Sequence, residues 1–187
     1  MLNKKITNVL QKVKKRKIHV SVSFLIALFV SLLVYLGDRD IILTAQLGVF
    51  CLILTAIAYV DFKKNIIPNF LVGTILLLVI LINLLHWDLS YTFSSILAFV
   101  VFGAITYMLH VLSKEALGMG DVKLLTVTAT LFGITEAIAL FFVTFVLSAL
   151  IGIVLISVFK KSRKQTIAFA PMLLLGLLVS VIFNLIY

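Results

Sequence analysis

The sequence predicts an all-α, polytopic membrane protein of about seven transmembrane helices with a cytoplasmic N-terminus. Three observations carry this prediction. The 187 residues are 63% hydrophobic, against roughly 45–50% apolar residues in soluble domains. Only 12% are charged, about half the usual quarter. The charges also lie in short blocks between long uncharged runs, as they do in loops beside membrane helices. A water-soluble globule is therefore excluded.

Seven apolar runs are candidate spans, because crossing about 30 Å of hydrocarbon takes about 20 helical residues. The first follows a basic tail and lacks a small-residue cleavage site, so we predict a helix and not a removable signal. The second to fourth, the sixth and the seventh contain no Asp, Glu, Lys or Arg. The fifth is shorter and contains charges, which makes it the weakest of the set. The predicted spans are 18–36, 41–60, 69–86, 91–112, 121–135, 137–159 and 167–187.

The basic residues test this count through the excess of Lys and Arg in cytoplasmic loops. Seven spans place all basic residues except Arg39 on one side of the membrane. Six spans would move the last basic loop to the other side. We therefore predict a multi-pass protein of the cytoplasmic (inner) membrane, with a basic cytoplasmic tail at 1–17 and one membrane domain at 18–187. The basic residues on the cytoplasmic side are Lys4, Lys5, Lys12, Lys14, Lys15, Arg16, Lys17, Lys63, Lys64, Lys114, Lys123, Lys160, Lys161, Arg163 and Lys164.

This orientation sorts the acidic residues into two groups. Asp61, Glu115 and Asp121 lie on the cytoplasmic side, and the four others lie across the bilayer. Asp61 follows the second span, and Asp121 begins the fifth, so both stand at cytoplasmic helix ends. Two carboxylates a few ångströms apart cannot both ionise readily, so they share a proton. One can then take a proton from water while the other polarises a carbonyl.

A structural interpretation of the same two residues stays open from their position alone. Asp121 is placed to cap its helix, and Asp61 could anchor the interface beside Lys63 and Lys64. The helix dipole disfavours a negative charge at a C-terminus, which makes Asp61 an unusual anchor. By the same dipole argument, Asp121 would be the base and Asp61 the acid of a catalytic pair.

No cofactor, metal ion or nucleic-acid partner is predicted. The lone Cys51 cannot form a thiolate zinc site or a CxxC motif, and no nucleic-acid motif is present. We expect His110, near the end of the fourth span, to be a satisfied interior polar group.

Three motifs follow one another along the chain. Asp61 precedes Ile67-Pro68-Asn69, then come GMGDVKLL at 118–125 and AFAPMLLLG at 168–176. In this order they resemble the motifs of the type IV prepilin peptidases. This family consists of membrane-embedded GxGD aspartic endopeptidases that remove the short basic leader from prepilins and pseudopilins at the cytoplasmic face. The resemblance implies that the membrane domain is a peptidase acting in the lipid bilayer, with a pilus or secretion machine as a candidate partner.

The resemblance also implies roles for individual residues. Asp61 and Asp121 match the catalytic aspartates. The cysteine-rich insertion associated with N-methylation in larger members is missing, so we expect no methyltransferase activity. Lys123 either steadies a negative charge or marks the membrane interface. The candidate loop-shaping or substrate-binding residues are Pro68, Asn69, Gly118, Gly120, Lys123 and Pro171.

Three alternative functions remain at this stage, and one of them is a catalytically silent scaffold of a pilus or secretion machine, which small packing residues such as Ser148 and Gly152 would support but the retained aspartates disfavour. The two others are a different protease and a transporter. Presenilin-like or signal-peptide-peptidase-like proteases share GxGD and a Tyr before the first Asp, which Tyr59 resembles, but they hold their aspartates deeper and carry Pro-Ala-Leu. A proton- or cation-coupled transporter could use both acids as relay groups, although such acids usually lie near the membrane midplane.

Overall fold

A computed structural model describes residues 25–32, 41–86, 89–114, 117–157 and 168–183, and the regular structure in these ranges is entirely helical. This confirms the predicted all-α class. The helices are α1 (25–32), α2 (Ile41–Lys64), α3 (Asn69–His86), α4 (Leu89–Leu112), α5 (Met119–Phe132), α6 (Ile134–Ser157) and α7 (Ala170–Ile182).

Within the part of the chain that the structure describes, three helices are long and apolar enough to cross a membrane, as expected of a membrane helical bundle. Their spanning segments are Thr44–Lys64, Leu89–Leu112 and Ile134–Val154, and Asn69–Leu85 and Ala170–Ile182 are shorter apolar helices. The count of seven spans and the cytoplasmic N-terminus stay predictions. The basic tail, the loop at 160–164 and Glu115 lie outside the described residues, so the predicted division into tail and membrane domain also stays a prediction.

The chain divides into two compact units, Met1–Leu52 and Ile53–Tyr187, with the boundary inside α2. In the first unit α1 and α2 approach closely at Gly48, where an added Cβ would come 2.5 Å from the Ser31 hydroxyl oxygen. The second unit contains every residue that the sequence proposes for the site.

Helix α5 is the buried helix of the second unit. Ten of its residues between Val122 and Phe132 are buried, and α3, α4 and α6 pack against it. Its 14 residues cover only about 21 Å, less than the hydrocarbon thickness. Protein, and not lipid, surrounds most of α5. The helix therefore need not be as long as the hydrocarbon layer is thick, and it can contain polar threonines that a lipid-facing helix would avoid. This explains the weak hydropathy signal of the fifth run.

Helix α5 also has different ends from those predicted. It begins two residues before Asp121 and ends at Phe132, because Gly133 adopts a positive φ of 84° and its N–H bonds the Ala129 carbonyl at 2.8 Å. Only glycine takes such a φ without strain.

Close helix contacts fix the neighbours of α5. The Tyr91 hydroxyl donates to the Leu131 carbonyl at 2.8 Å, joining the start of α4 to the end of α5. On the other side α7 packs against α6, where a Cβ on Gly176 would overlap the Thr144 hydroxyl. The register between α6 and α7 therefore depends on this glycine.

Candidate active site

Asp61 lies in the last turn of α2 and is 4% exposed. The helix ends behind it because Asn65 adopts φ 50° and its N–H bonds the Asp61 carbonyl at 2.7 Å. Asn is among the few residues that enter this left-handed conformation readily, and a helix C-terminus commonly ends this way. The Asp61 carboxylate oxygen Oδ2 accepts a hydrogen bond of 2.9 Å from the backbone N–H of Ala170.

The donor comes from the first turn of α7, whose N-terminal cap is Phe169. The N–H groups of Met172 and Leu173 bond the Phe169 carbonyl, and Pro171 has no N–H. Ala170 therefore supplies the amide of this turn that reaches Asp61. Pro171 stands where a helix accepts proline without a kink, so it shapes the helix start instead of bending a span.

Asp121 is the third residue of α5, and the cap position belongs to Gly118. The alternative in which Asp121 caps the helix is therefore wrong. Its carboxylate turns back and accepts a hydrogen bond from the Gly118 backbone. An added Cβ on Gly118 would lie 3.0 Å from Asp121 Oδ2. An acid in the first turn that reaches the cap amide forms half of a capping box and lies at the positive end of the helix dipole.

Gly118 and Gly120 let neighbouring groups come close to the backbone, and neither is needed for a positive φ. Gly118 has φ −63°, and Gly133 is the glycine of positive φ among the described residues. A Cβ on Gly120 would stand 3.1 Å from the Cβ of Ile67, which is buried. The segment after α2 therefore packs directly on the first turn of α5, next to Asp121.

A second contact joins the same segments at their exposed edge. The Pro68 carbonyl accepts from Leu71 and Val72, so α3 begins behind Pro68 as predicted. Asn69 Oδ1, at the start of α3, accepts a hydrogen bond of 3.2 Å from Lys123 Nζ on α5. Lys123 thus holds α3 and α5 together through an amide oxygen.

These contacts bring the two carboxylates into electrostatic interaction with each other. Each has an oxygen turned to a backbone amide of a helix start: Asp61 to α7 and Asp121 to α5. Such a pair offers both a base for water and an acid for a carbonyl oxygen.

All the predicted site residues lie on the three converging segments: the end of α2 with the start of α3, the start of α5 and the start of α7. The sequence did not single out Asn65 or Ala170. Asn65 carries a recognisable signal, since Asn often follows the last helical residue. A backbone amide such as that of Ala170 has no signal of its own. His110 is satisfied, as expected, with Nδ1 2.5 Å from the Leu117 carbonyl oxygen just before the glycine loop.

The comparison with known proteins decides the family. The model of the type IV leader peptidase family matches residues 48–156, which is more than half of the chain. The chain belongs to the type IV leader peptidase family. Both aspartates lie inside the matched region, and Pro171 lies beyond it. The family predicted from the three motifs is therefore confirmed.

One relative of this leader peptidase is prepilin peptidase EppA of Methanococcus maripaludis. The two are 36% identical over 117 residues, which is 63% of this chain and 30% of the relative. The aligned region thus spans less than a third of that protein. No solved structure matches. Among the described residues no group of three or more His, Cys, Asp or Glu side chains is placed to hold a metal ion.

Proposed function

We propose that this leader peptidase is a membrane-embedded aspartic endopeptidase that removes the short basic leader from type IV prepilins or pilin-like precursors. The observation that carries the proposal is the convergence of Asp61 and Asp121 from distant parts of the chain, with their carboxylates interacting. Family membership supports the substrate class. The basic loops support cleavage at the cytoplasmic face of the inner membrane.

The chemistry follows from one proton shared by two carboxylates. The ionised member removes a proton from water as the water oxygen attacks the scissile carbonyl carbon, and the protonated member donates to the carbonyl oxygen. Collapse of the tetrahedral intermediate breaks the C–N bond: the departing amine takes the proton that the base acquired, and a hydroxyl of the intermediate returns a proton to the other carboxylate as the product carboxyl group forms. The carboxylates return to their singly protonated state.

The division of roles cannot rest on helix dipoles, although the sequence suggested it. Asp61 lies in the last turn of α2, but it also faces the N-terminus of α7, and Asp121 faces the N-terminus of α5. Since both carboxylates lie at positive helix ends, the dipoles do not separate acid from base. We therefore assign catalysis to the two aspartates as a pair and do not assign the acid or the base role to either one.

The helix positions favour a peptidase over the two alternatives. Asp61 is in the last turn of α2, and Asp121 is in the first turn of α5, whereas relay acids of transporters lie near the middle of spans. The Tyr59 that suggested a presenilin-like motif has its hydroxyl engaged by Lys63 on the exposed side of α2.

The test is leader removal in membranes that contain the full chain and a prepilin, followed by mass spectrometry. Wild type should shorten the precursor by the leader mass, and Asp61→Asn and Asp121→Asn should each leave it intact. Glu136→Gln is the matched control, because Glu136 is also an acid in a first turn, that of α6, and should process normally. Processing by either Asp variant would overturn the proposal.

A further inference from the structure

The last turn of α4 carries a histidine, His110, that contacts the chain just before Gly118. A histidine in a last turn commonly bonds the final carbonyls of its own helix. His110 instead reaches forward, and its Nδ1 lies 2.5 Å from the carbonyl oxygen of Leu117, seven residues ahead. Because a carbonyl oxygen can only accept, Nδ1 carries the proton and donates it to this hydrogen bond.

The carbonyl that His110 contacts belongs to the same peptide unit as the amide that bonds Asp121. A trans peptide unit is planar, and its C=O and N–H point in opposite directions. The Leu117 carbonyl shares its unit with the Gly118 N–H, and the Gly118 backbone donates to the Asp121 carboxylate. One peptide therefore accepts a hydrogen bond from His110 and donates another to Asp121.

Gly118 does little to fix the orientation of this peptide. An added Cβ at position 118 would lie 3.0 Å from Asp121 Oδ2, so the close approach of the carboxylate favours glycine. Glycine also restricts its own φ less than any other residue does, and the peptide plane before it turns with that φ. Contacts from another element must therefore hold the plane, and His110 supplies such a contact.

Two further side chains of α4 and its end support this arrangement. Ser113 Oγ accepts a hydrogen bond of 3.3 Å from the Leu117 N–H and donates one of 3.1 Å to the His110 carbonyl. The Tyr107 ring lies beside the His110 imidazole with ring centroids 6.2 Å apart, a separation typical of ring contacts. Leu117 is thus held at both its N–H and its carbonyl, and the imidazole that bonds it is packed in place.

We propose that His110 is a positioning residue for Asp121, a proposal that rests on the proposed function. His110 orients the Leu117–Gly118 peptide so that the Gly118 N–H points at the carboxylate. A hydrogen bond at the carbonyl end also polarises the peptide and strengthens donation from its N–H end. Because the effect reaches a reacting carboxylate through the backbone, loss of the His110 donor lowers kcat and leaves KM unchanged.

Substitutions at His110 test the proposal in membranes that contain the full chain and a prepilin. His110→Leu removes the donor and should lower kcat about threefold to tenfold, the range of one hydrogen bond. His110→Asn keeps an N–H donor one bond beyond Cγ, where histidine carries Nδ1, and should restore most of the wild-type kcat. KM should be the same in all three proteins.

Tyr91→Phe is the matched control, because it removes another hydrogen bond from an α4 side chain to a backbone carbonyl, that of Leu131 at the other end of α5. It should keep the wild-type kcat. A wild-type kcat in His110→Leu, an equal loss in His110→Asn or an equal loss in Tyr91→Phe would overturn the proposal.

Hydrogen exchange of the Gly118 amide gives a readout that does not depend on activity. Fragmentation mass spectrometry of the purified full chain in detergent should show this amide exchanging about threefold to tenfold faster in His110→Leu, and at the wild-type rate in His110→Asn. Ser113→Ala is the control within the same connection, because Ser113 bonds the N–H of the preceding peptide unit.

Unchanged exchange of the Gly118 amide in His110→Leu, or equal acceleration in Ser113→Ala, would contradict an effect through this particular peptide. Failure of the wild type to remove the leader would contradict the proposed function instead, and the exchange rates would still decide whether His110 holds the Gly118 amide.

Discussion

The backbone N–H of Ala170 donates to the carboxylate of Asp61 at 2.9 Å, across 109 residues of sequence. This bond ties the first turn of α7 to the last turn of α2. It gives the AFAP motif a physical role: Pro171, which lacks an N–H, directs the helix start so that the preceding amide is available to the carboxylate.

Removing this donor should impair catalysis. Ala170→Pro deletes the N–H, and we expect kcat to fall about tenfold to a hundredfold, as for loss of a hydrogen bond to a charged group. Ala170→Val adds comparable volume to this buried position but keeps the N–H. A kcat equally low in both variants would mean that bulk, and not the amide, matters.

The approach of Gly120 to Ile67 should be equally sensitive to one methyl group. Gly120→Ala places a Cβ 3.1 Å from the Ile67 Cβ, which should separate the two loops and lower leader removal at least about tenfold. Gly73→Ala is the control, because nothing lies within 4 Å of its added Cβ and alanine favours the helix. The double variant Gly120→Ala/Ile67→Gly, which removes the Cβ at position 67, should recover activity, and failure to recover would argue against this contact.

Packing of α7 on α6 predicts a stability effect. Gly176→Ala forces a Cβ against the Thr144 hydroxyl, and overpacking of this kind costs about 1–3 kcal/mol. Thermal unfolding of the purified protein in detergent should show a lower midpoint for Gly176→Ala than for wild type or Gly73→Ala. A midpoint equal to that of wild type would show that α6 and α7 can move apart at this contact without a loss of stability.

Lys123 should contribute through Asn69 and not through the carboxylates. Lys123→Gln keeps a donor and removes the charge, so we expect most of the leader-removal rate to remain, since exposed polar pairs contribute about 1 kcal/mol or less. Kinetics of Lys123→Gln and Asn69→Leu, alone and together, would measure their coupling. A rate loss above a hundredfold in Lys123→Gln would instead indicate that its charge stabilises the reacting groups.

The sequence predicted those features that composition and charge control. Helix α3 occupies 69–86, as the apolar run and Pro68 indicated. The cytoplasmic grouping of basic residues suggested that Asp61 and Asp121 lie on one face, and the structure brings their carboxylates into interaction. Hydropathy was least informative for α5, because a helix covered by other helices need not be as long or as apolar as one that meets lipid.

What the sequence could not supply depends on backbone groups and on packing between distant residues. The Ala170 amide and the Gly176–Thr144 contact arise only after helices far apart in sequence have packed. The capping role expected for Asp121 belongs to Gly118, because the helix begins two residues earlier than the apolar run.

The most direct test of the account is the proximity of positions 61 and 121. In a Cys51→Ala background, Asp61→Cys and Asp121→Cys would be combined and treated in native membranes with a short bifunctional maleimide, and intramolecular crosslinking would be followed by protease mapping. The account predicts efficient crosslinking for this pair and almost none for Asp61→Cys with Glu136→Cys, since Glu136 follows the opposite end of α5. Absence of a crosslink between positions 61 and 121, with both cysteines reactive, would contradict it.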